Sequence, residues 1–219
     1  MICFGITGGN PENHTFTDYH QADTKFETVV TGYEYIAKHN YNNGPCWYFI
    51  KRTFINKFNL RFVEGKLCED GMFTMTALLN AKKVGHISRY VYFYAERPDS
   101  TTKTYDRTRL NKLNEGFRYA ITYFSELIEY HHKTMGSECY NRLIIRRNSY
   151  IVFLLIRLLK FKAGSEVSQT IEWLIQSGLY PIKKFIGHDY NGLSLRIIFQ
   201  IINHKYLYLA ACRVFKLMH

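Results

Sequence analysis

The spacing of apolar residues changes once along this chain, near Tyr105, and that change constrains the fold more than any other feature. Before it, apolar residues come in short runs punctuated by Gly, Asn and Asp. After it, they recur three and four apart over long stretches, the period of one helix face. "MICFGITGG", "ETVVTG", "NLRFVEG" and "HISRYVYFYAERPDS" read as strands, the last closed by Pro98. "TGYEYIAKHN" reads as a helix capped by Thr31. "WYFIKRTFINKF" places apolar residues at 47, 50, 54 and 58, a helical spacing. "GMFTMTALLNAKK" carries a stripe of Met72, Met75 and Leu79, widened by Phe73 and Ala77. Strands alternating with helices predict an α/β layer over residues 1–104.

Residues 105–219 predict an α-helical C-terminal part. "RLNKLNEGFRYAITYFSELIEYHHK" and "SECYNRLIIRRNSYIVFLLIRLLKFK" are long helices. "SEVSQTIEWLIQSG" is shorter, capped by Ser165 and stopped by Gly178. Pro181 starts a turn, and "LSLRIIFQIINHKYLYLAACRVFKLM" gives one or two further helices.

Hydrophobic residues form 47% of the 219, enough to build a core and to exclude a disordered tail. The five cysteines are odd in number and form no Cys-x-x-Cys pair. Reduced cytosolic thiols are therefore expected, without a disulfide framework or zinc site. No apolar run is long enough to cross a bilayer, and the start lacks the features of a signal peptide. The chain opens abruptly on a strand, as though something should precede it.

The net charge is +11, and it is unevenly placed. Residues 1–103 carry 12 Lys and Arg against 10 Asp and Glu, and the remainder 17 against 8. An excess of this kind attracts phosphate, in nucleic acid, in lipid headgroups or in a diphosphate-linked substrate. Arg146, Arg147, Arg157, Lys160 and Lys162 flank "YIVFLLIRLLKF", and Lys205, Arg213 and Lys216 alternate with Tyr206, Tyr208, Phe215 and Leu217. These patterns fit either helices lying on an anionic membrane or packed helices with a solvated basic side. No nucleic-acid recognition motif is present, so nucleic acid is not an expected partner.

Against this basic background, "EGKLCEDGMF" places Glu69 and Asp70 side by side at the start of a helix. First-turn acids commonly just complement the helix dipole. The neighbouring motifs point further. "WYFIKRTFINKFNLRF", "VEGKLCEDGMF", "ALLNAKKVGHIS" and "YVYFYAERPDSTTK" follow in that order, with "LIQSGLYPIKK" further on. Together they resemble the second half of the catalytic domain of family 2 glycosyltransferases, inverting enzymes of the A-type fold that build bacterial polysaccharides.

The resemblance implies that Asp70 is the general base that accepts the proton of an acceptor hydroxyl, with Glu69 supporting it or holding the acceptor. It implies that Arg97 and Ser100 line the site, where a cation would neutralise a diphosphate leaving group. Trp47 is a candidate for stacking on sugar, though its helical spacing also fits core packing. The implied partner is a glycan or lipid-linked acceptor at the inner face of the cytoplasmic membrane. The family's nucleotide half ends in an Asp-x-Asp that holds Mg or Mn on a nucleotide sugar. No Asp-x-Asp occurs here, so no metal is expected within this chain. The expectation is an incomplete A-type layer, inactive alone: a gene piece, a split enzyme with a separate donor-binding chain, or a degenerate paralogue. The alternative is a non-catalytic membrane-surface or protein-interaction module that keeps the scaffold. His86 reads as structural because no ligand cluster surrounds it, and His131 and His132 as cations favouring a helix C-terminus.

Overall fold

The computed structural model describes residues 1–9, 29–95, 107–160, 164–185 and 192–217. These form a mixed α/β protein with three strands and eight α-helices. β1 (Ile2–Gly9) is the central strand of the sheet. β3 (Gly85–Ala95) pairs with it in parallel, and β2 (Tyr48–Phe49) pairs with it antiparallel. The parallel register shifts on both sides of Gly5. The Tyr90 ring lies 2.9 Å from where a Cβ on Gly5 would stand, so only glycine admits it there. Tyr90, Val91, Tyr92 and Tyr94 on β3 are each about half exposed.

α1 (Gly32–Lys38) begins in a capping box. The Thr31 hydroxyl accepts from the Glu34 N–H at 3.2 Å, and the Glu34 carboxylate accepts from the Thr31 N–H at 2.8 Å. Those hydrogen bonds hold the Glu34 carboxyl below the usual carboxylate range. α3 (Glu69–Asn80) buries Met72, Phe73, Met75, Ala77, Leu78 and Leu79, the stripe read from its sequence. α1 crosses it so closely that a Cβ on Gly32 would overlap the Leu78 carbonyl.

Two stretches depart from the sequence reading. Residues 47–58 do not form one helix. Pro45–Trp47 is a 3-10 turn, Tyr48 and Phe49 join β1, and α2 spans only Arg52–Lys57. Pairing with the distant β1 overrides the local spacing. Residues 59–65 do not form a strand. Asn59 (φ 46°), Gly65 (φ 70°) and Cys68 (φ 71°) are left-handed, and three such positions in ten residues break an extended run. Asn59 closes α2, with Leu60 N–H donating to the Ile55 carbonyl at 3.0 Å. In the described part of "ETVVTG", Val30 forms an isolated antiparallel bridge with Val84.

The remaining helices are α4 (Arg107–His131), α5 (Ser137–Lys160), α6 (Gly164–Gln176), α7 (Leu193–Ile202) and α8 (Lys205–Leu217). Among the described residues no strand follows Ala95. α6 starts one residue before Ser165, which therefore sits in its first turn rather than capping it. Gly178 (φ 67°) ends that stretch, with Leu179 N–H donating to the Leu174 carbonyl at 2.8 Å. α5 is not a surface helix: Ile151, Val152, Leu154, Leu155 and Leu158 are all buried. His131 is buried and shares a 2.8 Å hydrogen bond with the Tyr33 hydroxyl. Burial pushes its pKa down, so it ties α4 to α1 as a neutral ring and not as a dipole-facing cation. A single core runs through both parts, from Ile36 and Leu78 to Ile121, Leu155, Ile171 and Tyr208.

Gly32→Ala tests the α1–α3 crossing. The added methyl has backbone in its way, so unfolding in urea should show a loss of about 1–3 kcal/mol, the usual range for overpacking. An unchanged midpoint would show that the two helices are not held this closely.

Candidate functional site

Glu69 and Asp70 are the first two residues of α3, and both are half-buried. The residue before them, Cys68, adopts the left-handed conformation, so the chain turns sharply into the helix. Asp70 Oδ1 accepts from the N–H of Gly71 at 2.7 Å. Its Oδ2 faces Gly44, 3.8 Å from where a Cβ there would stand. Among the described residues no cation pairs with Asp70. A first-turn position favours its negative charge.

Three protonated groups stand near enough to Asp70 to feel that charge. Burial first, then the charges of Asp70 and Glu69, push the Cys68 thiol up to about 12, with Arg157 opposing. Burial pushes the Tyr48 hydroxyl up to about 12; its hydrogen bond with Thr74 opposes this and Asp70 adds to it. The Tyr150 hydroxyl is raised by burial, with Cys68 and Asp70 adding. All three therefore stay neutral near pH 7. A half-buried carboxylate beside these neutral groups, with no ion pair among the described residues, can take a proton from a hydroxyl that comes within hydrogen-bond reach.

The supports of this arrangement come from three directions. Tyr48 Oη and Thr74 Oγ1 are 2.9 Å apart, and Thr74 donates to the Asn43 carbonyl at 2.7 Å, joining β2, α3 and the loop before Gly44. Arg146 from α5 donates to the Tyr41 carbonyl at 3.0 Å and lies 4.5 Å above the Tyr41 ring. The Tyr150 ring packs edge-on against Phe117 and Phe124, and its hydroxyl occupies the space that a Gly71 side chain would need. Tyr150 is the neighbour that sequence reasoning missed. It lies inside "YIVFLLIRLLKF", a run that reads only as apolar, and nothing local marks one tyrosine there as facing residue 71.

Trp47, a candidate for sugar stacking, is only 4% exposed. Its indole N–H donates to the Asn42 carbonyl at 3.0 Å, and Tyr35, Tyr41 and Tyr48 pack around it. It is a core side chain, although the helical spacing that suggested packing is not realised as a helix here. Arg97 and Ser100 lie outside the described residues. His86, on β3, stands 6.5 Å from the His39 ring, with the two rings nearly parallel. Among the described residues no three His, Cys, Asp or Glu side chains stand together in a way that could hold a metal ion. No family model, curated protein or solved structure matches the chain.

The contact between Gly71 and Tyr150 can be tested by a double-mutant cycle. Gly71→Ala should destabilise by about 1–3 kcal/mol through overpacking. Tyr150→Phe removes the blocking hydroxyl, so the double variant should recover part of that loss, a coupling of at least about 0.5 kcal/mol. Recovery is partial because the Asn43 side chain is also close, at 3.3 Å. Strict additivity of the two changes would mean that Tyr150 does not reach Gly71.

Proposed function

We propose that this chain is the acceptor-side part of an inverting glycosyltransferase, acting on a glycan or lipid-linked acceptor at the inner face of the cytoplasmic membrane. The observation that carries the reading is Asp70: a half-buried carboxylate, unpaired by any cation among the described residues, at the first turn of the helix whose motif resembles the family's Glu-Asp. The acceptor hydroxyl donates its proton to Asp70 as its oxygen bonds to the anomeric carbon. The bond from that carbon to the nucleoside diphosphate breaks, and the diphosphate leaves with the electron pair. Glu69 supports the acceptor, and Arg97 and Ser100 serve the leaving group by resemblance alone. Trp47 takes no part.

The donor half comes from outside these 219 residues, and the chain alone is inactive. The half-exposed Tyr90, Val91, Tyr92 and Tyr94 on β3 support this, since a strand rich in aromatics gains from a covering layer. The competing reading is a scaffold that keeps the fold and has lost the chemistry.

Two measurements decide. Titration of nucleotide sugars with a divalent metal into this chain should show no micromolar binding; such binding would overturn the assignment of the donor site to another polypeptide stretch. With a donor half supplied, transfer should appear, and Asp70→Asn should lower its rate by about 10²–10⁴ without unfolding the protein, the share of a positioned general base. A variant that keeps more than about a tenth of the rate would return Asp70 to a helix-dipole role.

A further inference from the structure

α7 and α8 leave contiguous apolar arcs in solvent. On α7, Leu193 is 75% exposed and Ile197 54%. At 100° per residue these two stand 40° apart, flanked on one side by Gln200 and Arg196. Over residues 205–214 of α8 the exposed residues are Tyr206, Leu207, Ala210, Arg213 and Val214, which fall within one third of the helix circumference. Tyr206 is 75% exposed, and Leu207 and Val214 are each just over half exposed. The opposite faces pack inward through Phe199, Ile202 and Tyr208, whose hydroxyl donates to the Leu155 carbonyl at 2.6 Å.

Beside the α7 arc lies a cavity of about 600 Å³. Lys183, Lys184 and Arg196 line it, Phe185 and Phe199 form its apolar wall, and among the described residues no carboxylate lines it. Lys184 donates to Asn141 across it at 2.6 Å. Residues 190–219 contain no Asp or Glu at all, while Arg196, Lys205, Arg213 and Lys216 fall within them. Arg196 connects the two features, since it borders both the apolar arc and the cavity.

We infer that α7 and α8 dock on an anionic phospholipid surface, with a headgroup phosphate seated among Lys183, Lys184 and Arg196. Exposed leucine, isoleucine and tyrosine side chains enter the interface region, and cations at their flanks meet lipid phosphates. A second copy of the chain is a poor occupant: pairing these faces would bring the cations of α7 and α8 against each other, and neither helix carries an acid. The inference stands apart from the sugar-transfer reading and requires no catalysis. Among the described residues no helix is long and apolar enough to cross a membrane, so the contact is a surface one.

The test is sedimentation of the full chain with phosphatidylcholine vesicles, with and without about a third phosphatidylglycerol. Binding should need the anionic lipid and should weaken between low and high salt. Lys183→Glu with Lys184→Glu should weaken it at least about 25-fold, taking about fivefold per cation removed. Leu193→Ser with Ile197→Ser should weaken it by a similar order. Both pairs are solvent-facing, and an unchanged far-UV spectrum and melting temperature would show intact folding. Should the serine pair unfold, the glutamate pair still decides. Equal binding to neutral vesicles, absence of binding, or binding indifferent to both variants would overturn the proposal. So would self-association through this face without vesicle binding.

Discussion

The burial of α5 is the constraint on which the other elements depend. This helix touches α1, α4, α6, α7 and α8, and Leu143, Tyr150, Ile151, Val152, Leu154, Leu155 and Leu158 are all removed from water. Each such side chain contributes about 1.5–3 kcal/mol when fully buried, and α5 buries them against five other helices. The basic residues at its start are anchored as well. Arg142 donates to the His39 carbonyl at 2.9 Å and to Asn40 Oδ1 at 2.7 Å, and Arg146 grips Tyr41. The guanidinium groups thus fix a loop that has no regular hydrogen bonding of its own.

That loop is the floor of the candidate site. Asn43 and Gly44 stand against the first turn of α3, and Tyr150 reaches the same turn from α5. The geometry around Asp70 is therefore built jointly by the α/β part and the helical part. The change of character near residue 105 marks a change in local structure, and the packing does not break there: α1 lies on α5 and α3 on α4. An acid placed by elements from both sides of that boundary is held more firmly than one placed by its own helix alone.

What could be read in the sequence follows from the range of the interactions involved. The α3 stripe, the Thr31 cap and the Gly178 stop are set by residues three to five apart, and all three are found where the sequence places them; the Glu34 half of the capping box is added by the structure. β2 depends on pairing with a strand more than forty residues away, and the ring of Trp47 is closed in by its neighbour Tyr48 and by Tyr35 from α1. The left-handed Asn59 and Cys68 gave no warning, because neither is a glycine. Asp70 was singled out by the order of motifs around it. Its neutral companions Cys68, Tyr48 and Tyr150 come from three separate segments, and only folding brings them together.

The same limit explains how the basic excess of the C-terminal half divides. Along the sequence, the cations of α5 and those of α7 and α8 look alike: each group flanks an apolar run with aromatics. In the fold they are opposites. α5 turns its apolar run into the core, and Arg142 and Arg146 spend their hydrogen bonds on backbone carbonyls and an asparagine nearby. α7 and α8 keep Leu193, Ile197, Tyr206 and Leu207 outside, next to cations that meet no acid on their own helices. A guanidinium that satisfies internal carbonyls has little left for a phosphate, whereas an exposed ammonium such as that of Lys184, with one hydrogen bond to Asn141, has three donors to offer. Charge density in a sequence therefore becomes a statement about partners only after burial has separated the cations that hold the protein together from those that face outward.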